Sequence, residues 1–183
     1  MSYKKWILIA VVLFSIGLVL GLASPISVAD LPAEDIAALE QLSDLLATLP
    51  KSSIFVIIFL KNVSALLISF VLSPIFYLAP VTALTVNGWL IGFLSAIVVQ
   101  EESLGYLLAG LLPHGIFELP ALILGEAVAL SFGTTVILAL FKQERRNLLL
   151  ADLKRNLRYL AIALILFLPA AIIETYVTPL FLT

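Results

Sequence analysis

The sequence contains no cysteine, only one histidine and one methionine, and charged residues make up only 12% of its 183 residues. The absence of cysteine excludes a disulfide framework, a thiolate nucleophile and a cysteine-ligated zinc site. Hydrophobic residues make up 62% of the chain, whereas soluble domains are about half apolar and about a quarter charged. A soluble catalytic domain is therefore excluded, and we expect any chemistry to take place in or at a membrane.

Long uncharged runs predict an all-α membrane protein with a single transmembrane domain over residues 1–183. The first run, Trp6–Ala23, follows two lysines and precedes small residues. It is expected to be an uncleaved membrane span, and a cleaved signal peptide is the alternative. A sixth run, Leu104–Leu112, is too short to cross and ends at Pro113, which predicts a re-entrant half-helix. The five predicted membrane-crossing helices are Trp6–Ala23, Ile54–Leu78, Val81–Val99, Gly115–Phe141 and Tyr159–Leu182.

The segment 24–53 contains five acidic residues and no basic residue before Lys51. Apolar residues at helical spacing over Glu34–Leu49 predict an amphipathic helix. Interfacial helices usually carry a basic polar face, whereas this face is acidic. We therefore expect the helix to pack over the outer ends of the bundle or against a partner protein.

Basic residues are concentrated at two places, and this asymmetry predicts the orientation in the membrane. Two of the ten lysines and arginines precede the first span and six lie in the predicted loop 142–158. Both regions should be cytoplasmic by the positive-inside rule. Five crossings then place the C-terminus outside, together with the acidic segment. The expected location is the cell (plasma) membrane, multi-pass.

Five ionisable residues fall inside predicted membrane segments, where such residues are costly and usually functional. By helix rise, four share the outer half of the bilayer and Glu126 lies near the midplane. With Asn62 and Asn87 they form a predicted polar network. The five ionisable residues are Lys61, His114, Glu118, Glu126 and Glu174.

His114 and Glu118 are four residues apart and therefore share a helix face. We expect them to converge with Glu174, and Lys61 to neutralise a carboxylate. Three roles remain open for this cluster: a structural network, a binding site for a divalent metal such as zinc, and a proton or small-solute pathway. One histidine and two carboxylates would supply the three protein ligands of a catalytic zinc site. The same three residues are the candidate catalytic residues.

Two glycine pairs each leave a smooth strip on a helix face, which permits close helix packing. The pairs are Gly17 with Gly21, and Gly88 with Gly92. Packing within one chain is the interpretation we favour, and packing between subunits is the alternative.

The nonapeptide Pro113–Ala121, with the sequence PHGIFELPA, resembles the signature of the stage II sporulation protein M family. Further residues match the pattern of that family in the same order: Asn62, Asn87-Gly88, Gly92, Ile173-Glu174 and Thr178-Pro179. The resemblance covers roughly residues 54–179. This chain departs from the pattern at Lys61, which stands beside Asn62 where the family has a second asparagine.

The resemblance implies a membrane-embedded scaffold, since the founding member anchors peptidoglycan hydrolases during engulfment. It also implies importance for His114, Glu118 and Glu174. The expected function is therefore a scaffold or partner-binding component, with a metal-dependent hydrolase as the alternative and a transporter as the third. Expected partners are the lipid bilayer, a second copy of the chain in a homo-oligomer such as a dimer, and membrane or extracytoplasmic proteins. Nucleic acid is not an expected partner.

Overall fold

The computed structural model describes residues 3–24, 34, 37, 41, 44–45 and 47–182. The described positions between 34 and 48 are helical, and the remainder of the predicted amphipathic helix lies outside the described residues. The described part of the chain contains helices and no strand. The helices are α1 (Tyr3–Leu22), α2 (Lys51–Leu72), α3 (Leu78–Glu101), α4 (Leu104–Phe141), α5 (Gln143–Arg146) and α6 (Leu149–Ile172). A π-helix (Ile173–Val177) and a 3₁₀-helix (Thr178–Phe181) follow α6.

Five of these helical segments are long and apolar enough to cross a membrane, which confirms the predicted fold class. The segments are α1, α2, α3, α4 and the continuous stretch Leu149–Phe181. All five begin before the predicted span, α4 by the largest margin. The predicted basic loop is helical over most of its length, because it contains α5 and the first turns of α6.

The predicted re-entrant half-helix is wrong. Leu104–Leu112 continues without interruption into α4, which runs for 38 residues through Pro113 and Pro120. A proline inside a helix removes one backbone hydrogen bond, and neighbouring helices make this tolerable in membrane proteins. Ser103 caps the N-terminus of α4 by accepting a hydrogen bond from the Tyr106 amide at 3.1 Å.

The bundle is organised around α4. Half of its most apolar 18-residue window is buried, compared with 17% to 33% in the other spans. One face packs with α2 and α6 around Leu66, Val128 and Phe167. The opposite face packs with α1 and α3 around Leu84 and Leu130. A helix that is covered on both faces can present polar side chains to a protein interior rather than to lipid.

The glycine pairs of α1 and α3 lie against the backbone of the opposite helix. A Cβ atom built on Gly17 or Gly21 would overlap the backbone of Thr85 or Trp89 in α3. A Cβ atom built on Gly88 or Gly92 would likewise overlap the backbone of α1. The close approach of these two helices therefore requires glycine at all four positions.

Candidate functional site

The site is built from two segments that pack together at one end of the bundle. His114 and Glu118 lie one turn apart on α4, and the His114 Nε2 atom is 3.8 Å from Glu118 Oε2. Glu174 comes from the π-helix that follows α6. A π-helix turn rotates side chains relative to an α-helix, and such turns are frequent at functional sites.

The structure brings His114, Glu118 and Glu174 together. One ligand atom from each residue lies within 4.8 Å of the other two, and all three residues are half-buried. Around a tetrahedral zinc ion with ligand bonds near 2.0–2.1 Å, ligand atoms would be separated by about 3.4 Å. Closing the cluster onto such an ion would therefore take side-chain movements of roughly an ångström.

Neighbouring polar groups orient two of the three residues. Thr178 Oγ1 is 3.3 Å from His114 Nδ1, which leaves Nε2 facing Glu118. The Asn62 amide on α2 donates to Glu118 Oε1 at 3.2 Å. Metal-binding histidines and carboxylates are usually held by outer partners of this kind, and the same partners would also stabilise a purely structural network.

One lysine, Lys61, lies near the carboxyl groups of the site. Lys61 is close enough to Glu174 to attract its carboxylate, while Glu118 repels it. Among the described residues, the only ion pairs within 4.0 Å are His114 with Glu118 and Arg155 with Asp152. Lys61 is therefore a nearby counter-charge of Glu174 rather than a partner bonded to it.

A cavity of about 140 Å³ lies beside Glu118 and extends to Glu126. Lys61, Asn62 and Asn87 also line it, so the polar residues predicted as a network border one space. Asn87 donates to the Ala83 carbonyl at 2.7 Å rather than to His114, Glu118 or Glu174.

Glu126 is separate from the three-residue cluster. It lies eight residues after Glu118 on α4, which is about 12 Å along the helix axis. Its side chain is 1% exposed, and Ser69 Oγ donates to its Oε2 atom at 2.5 Å. The glycine pairs also lie away from the cluster, between α1 and α3.

Two residues at these polar sites were assigned no role from the sequence. Thr178 contacts His114, and only its match to the family pattern drew attention to it. Ser69 contacts Glu126 and gave no sequence signal, because a serine in a membrane helix usually bonds its own backbone.

These features define a multi-pass helical membrane protein in which one histidine and two glutamates, side chains of the types that can hold a metal ion, cluster at the junction of two helical segments. The sequence matches the Stage II sporulation protein M family over residues 10–179, and the chain belongs to this family. It is also similar to an uncharacterized protein of Methanocaldococcus jannaschii, with 29% identity over 174 residues. That alignment covers 94% of this chain and 93% of the relative. No solved structure gives a significant match.

Proposed function

We propose that this protein is a membrane scaffold of its family that carries a divalent metal ion between His114, Glu118 and Glu174. The observation that supports this proposal is the grouping of three ligand atoms within 4.8 Å of one another. The residues reach this grouping from positions as far apart in sequence as 114 and 174. A fold that places two carboxylates and an imidazole together inside a membrane would otherwise bear a large desolvation cost.

The charge balance also favours a cation. Two carboxylates face one nearby lysine, which is not within ion-pair distance of either. A divalent ion would neutralise the excess charge and hold α4 to the C-terminal helical segment. Imidazole combined with carboxylate suits zinc better than magnesium or calcium, which prefer oxygen ligands alone.

Metal analysis of the purified protein tests this proposal. The wild type, purified without a metal-affinity tag, should contain about one zinc ion per chain. Glu118→Gln and Glu174→Gln should each lose most of it, because a neutral amide is a much weaker ligand. Glu126→Gln is the matched control, since it makes the same change on α4 outside the cluster.

Elemental analysis by mass spectrometry, with dialysis against zinc, gives the readout. A wild type that contains no metal before or after dialysis contradicts the proposal. Equal metal content in Glu118→Gln and wild type contradicts the choice of ligands.

A purely structural network is the second candidate, and the partners of the site side chains favour it. Thr178 contacts His114, and Asn62 donates to Glu118. Lys61 attracts Glu174. Such a network fixes helix register within a scaffold and needs no ion. It predicts that loss of Glu118 destabilises the protein whether or not metal is present.

A metal-dependent hydrolase is the third candidate, and the cavity beside Glu118 favours it. Three protein ligands leave one coordination position of zinc open, and a water molecule bound there can act as a nucleophile. The 140 Å³ cavity would then receive part of a substrate. Metal binding without hydrolysis distinguishes the scaffold from the enzyme.

We also propose the orientation in the plasma membrane: the N-terminus and the basic segment 142–158 are cytoplasmic, and the C-terminus is outside. The concentration of lysine and arginine in these two regions supports it. Glu102 and Lys154 lie beyond opposite ends of α4, so cysteines at the two positions should react from opposite sides.

Cysteine labelling is clean in this chain, because the wild type contains no cysteine. In intact cells, a membrane-impermeant maleimide should label Glu102→Cys, and it should label Lys154→Cys only after permeabilisation. The reverse pattern, or labelling of both from one side, contradicts the proposed orientation.

A further inference from the structure

A second polar cavity lies at the end of the bundle opposite to the His/Glu cluster. Its volume is about 130 Å³, which is room for several water molecules or a small polar group. It is formed where α1 begins and where α4 gives way to α5 and α6. Its polar lining consists of Ser131, Thr134, Thr135, Arg145, Asp152 and Arg155.

The two arginines of this cavity are held differently. Arg155 forms an ion pair with Asp152 at 2.7 Å, and its guanidinium lies 5.4 Å from the centre of the Tyr3 ring. The Arg145 guanidinium has no hydrogen-bond or ion-pair partner within the described part of the chain. Asp152 therefore offsets one guanidinium, and the cavity keeps one net positive charge.

The cavity is lined by more N–H and O–H donors than the acceptors of the protein itself occupy. An arginine carries five N–H donors in a planar fork, and that fork matches the oxygens of a phosphate group. The Thr134 hydroxyl lies 2.9 Å from a carbonyl one turn earlier and 3.0 Å from the Tyr77 hydroxyl, and Thr135 donates to a carbonyl one turn earlier at 2.9 Å. Rotation of a hydroxyl releases such a bond at low cost, so both can also donate into the cavity.

We propose that this cavity binds a phosphate group. Basic pockets between membrane helices bind lipid headgroups in this way. The end of the bundle concerned also carries Lys4, Lys5 and the basic segment 142–158, which would attract anions toward the cavity. The phosphate group can belong to an anionic membrane lipid or to a free phosphate, and the same fork recognises both.

The test compares Arg145→Gln with Lys154→Gln. Each variant removes one positive charge from the basic segment, but only Arg145 lines the cavity. The probes are inorganic phosphate, measured by calorimetry, and phosphatidate in phosphatidylcholine vesicles, measured by co-sedimentation of the reconstituted protein. Arg145→Gln should weaken binding about tenfold, because a charge-assisted hydrogen bond is lost. Lys154→Gln should bind as the wild type does, and unchanged thermal unfolding of both variants shows that they fold.

The two probes identify the source of the phosphate group. Arg145-dependent binding of phosphatidate alone identifies a lipid headgroup, and Arg145-dependent binding of inorganic phosphate identifies a free phosphate. Either result supports the proposal. Equal weakening by both substitutions would mean general attraction to a basic surface and overturns it, as does the absence of binding of both probes to the wild type.

Discussion

Gly21→Ala and Gly88→Ala should each destabilise the protein by about 2–3 kcal/mol, within the range measured for overpacked interiors. A Cβ atom at Gly21 would overlap the backbone of Trp89 and Phe93, and one at Gly88 the backbone of Phe14. Backbone atoms cannot move aside by a rotamer change. The helices α1 and α3 must therefore separate along their length, which weakens the dispersion contacts that hold membrane helices together.

Gly105→Ala is the matched control for these substitutions. A Cβ atom there has Ser103 Oγ as its nearest neighbour, at 3.7 Å, an ordinary contact distance. Gly105 lies in the first turn of α4, where alanine favours the helix by up to about 1 kcal/mol. Thermal unfolding in detergent should show a marked loss for Gly21→Ala and Gly88→Ala and none for Gly105→Ala. Equal stability of all three variants would mean that α1 and α3 do not approach as closely as the structure shows.

The glycine pairs show how far the sequence constrains packing. Their spacing predicts a smooth helix face, but it does not identify which helix lies against that face. In the structure the two pairs face each other's helices within one chain. The predicted homo-oligomer would therefore have to use other surfaces, and it remains a prediction.

The membrane spans were predictable because their length and hydropathy are set by the bilayer. The start of α4 was not, because Pro113 predicts the end of a short segment, whereas the helix runs from Leu104 to Phe141. Proline ends helices in water, where the freed carbonyl finds solvent. Inside this bundle the helix continues through both prolines. The preference of proline for helix ends in soluble proteins therefore predicts the wrong start for α4.

The candidate site was predictable in part. Helical spacing places His114 beside Glu118, and estimated depth places Glu174 at a similar level. The π-helix that carries Glu174 has no signal in composition or periodicity, since it depends on how the end of α6 packs. Thr178 reaches His114 through the same irregular segment. The residue types of the site were therefore visible in the sequence, whereas their final geometry depends on tertiary packing.

Zinc should stabilise the wild type and should not stabilise Glu118→Gln. An ion that binds only the folded state contributes about 2.7 kcal/mol when its free concentration is a hundredfold above the dissociation constant. Thermal unfolding of the wild type in detergent should therefore shift upward by several degrees with zinc and return with a chelator. Glu126→Gln should respond as the wild type does, because Glu126 lies outside the cluster.

A purely structural network gives the opposite pattern in the same experiment. Removing one partner of a buried charged network costs about 3–5 kcal/mol, so Glu118→Gln would then be strongly destabilised with or without a chelator. Lys61→Gln separates the two cases further. Without an ion, its loss leaves Glu174 with no nearby cation, since Lys61 is the lysine that attracts that carboxylate. With zinc bound, the metal replaces that attraction, and Lys61→Gln should unfold close to the wild-type temperature. If zinc does not change the unfolding temperature of the wild type, and if Glu118→Gln and Lys61→Gln are both strongly destabilised, metal binding is ruled out. The polar network then has a purely structural role.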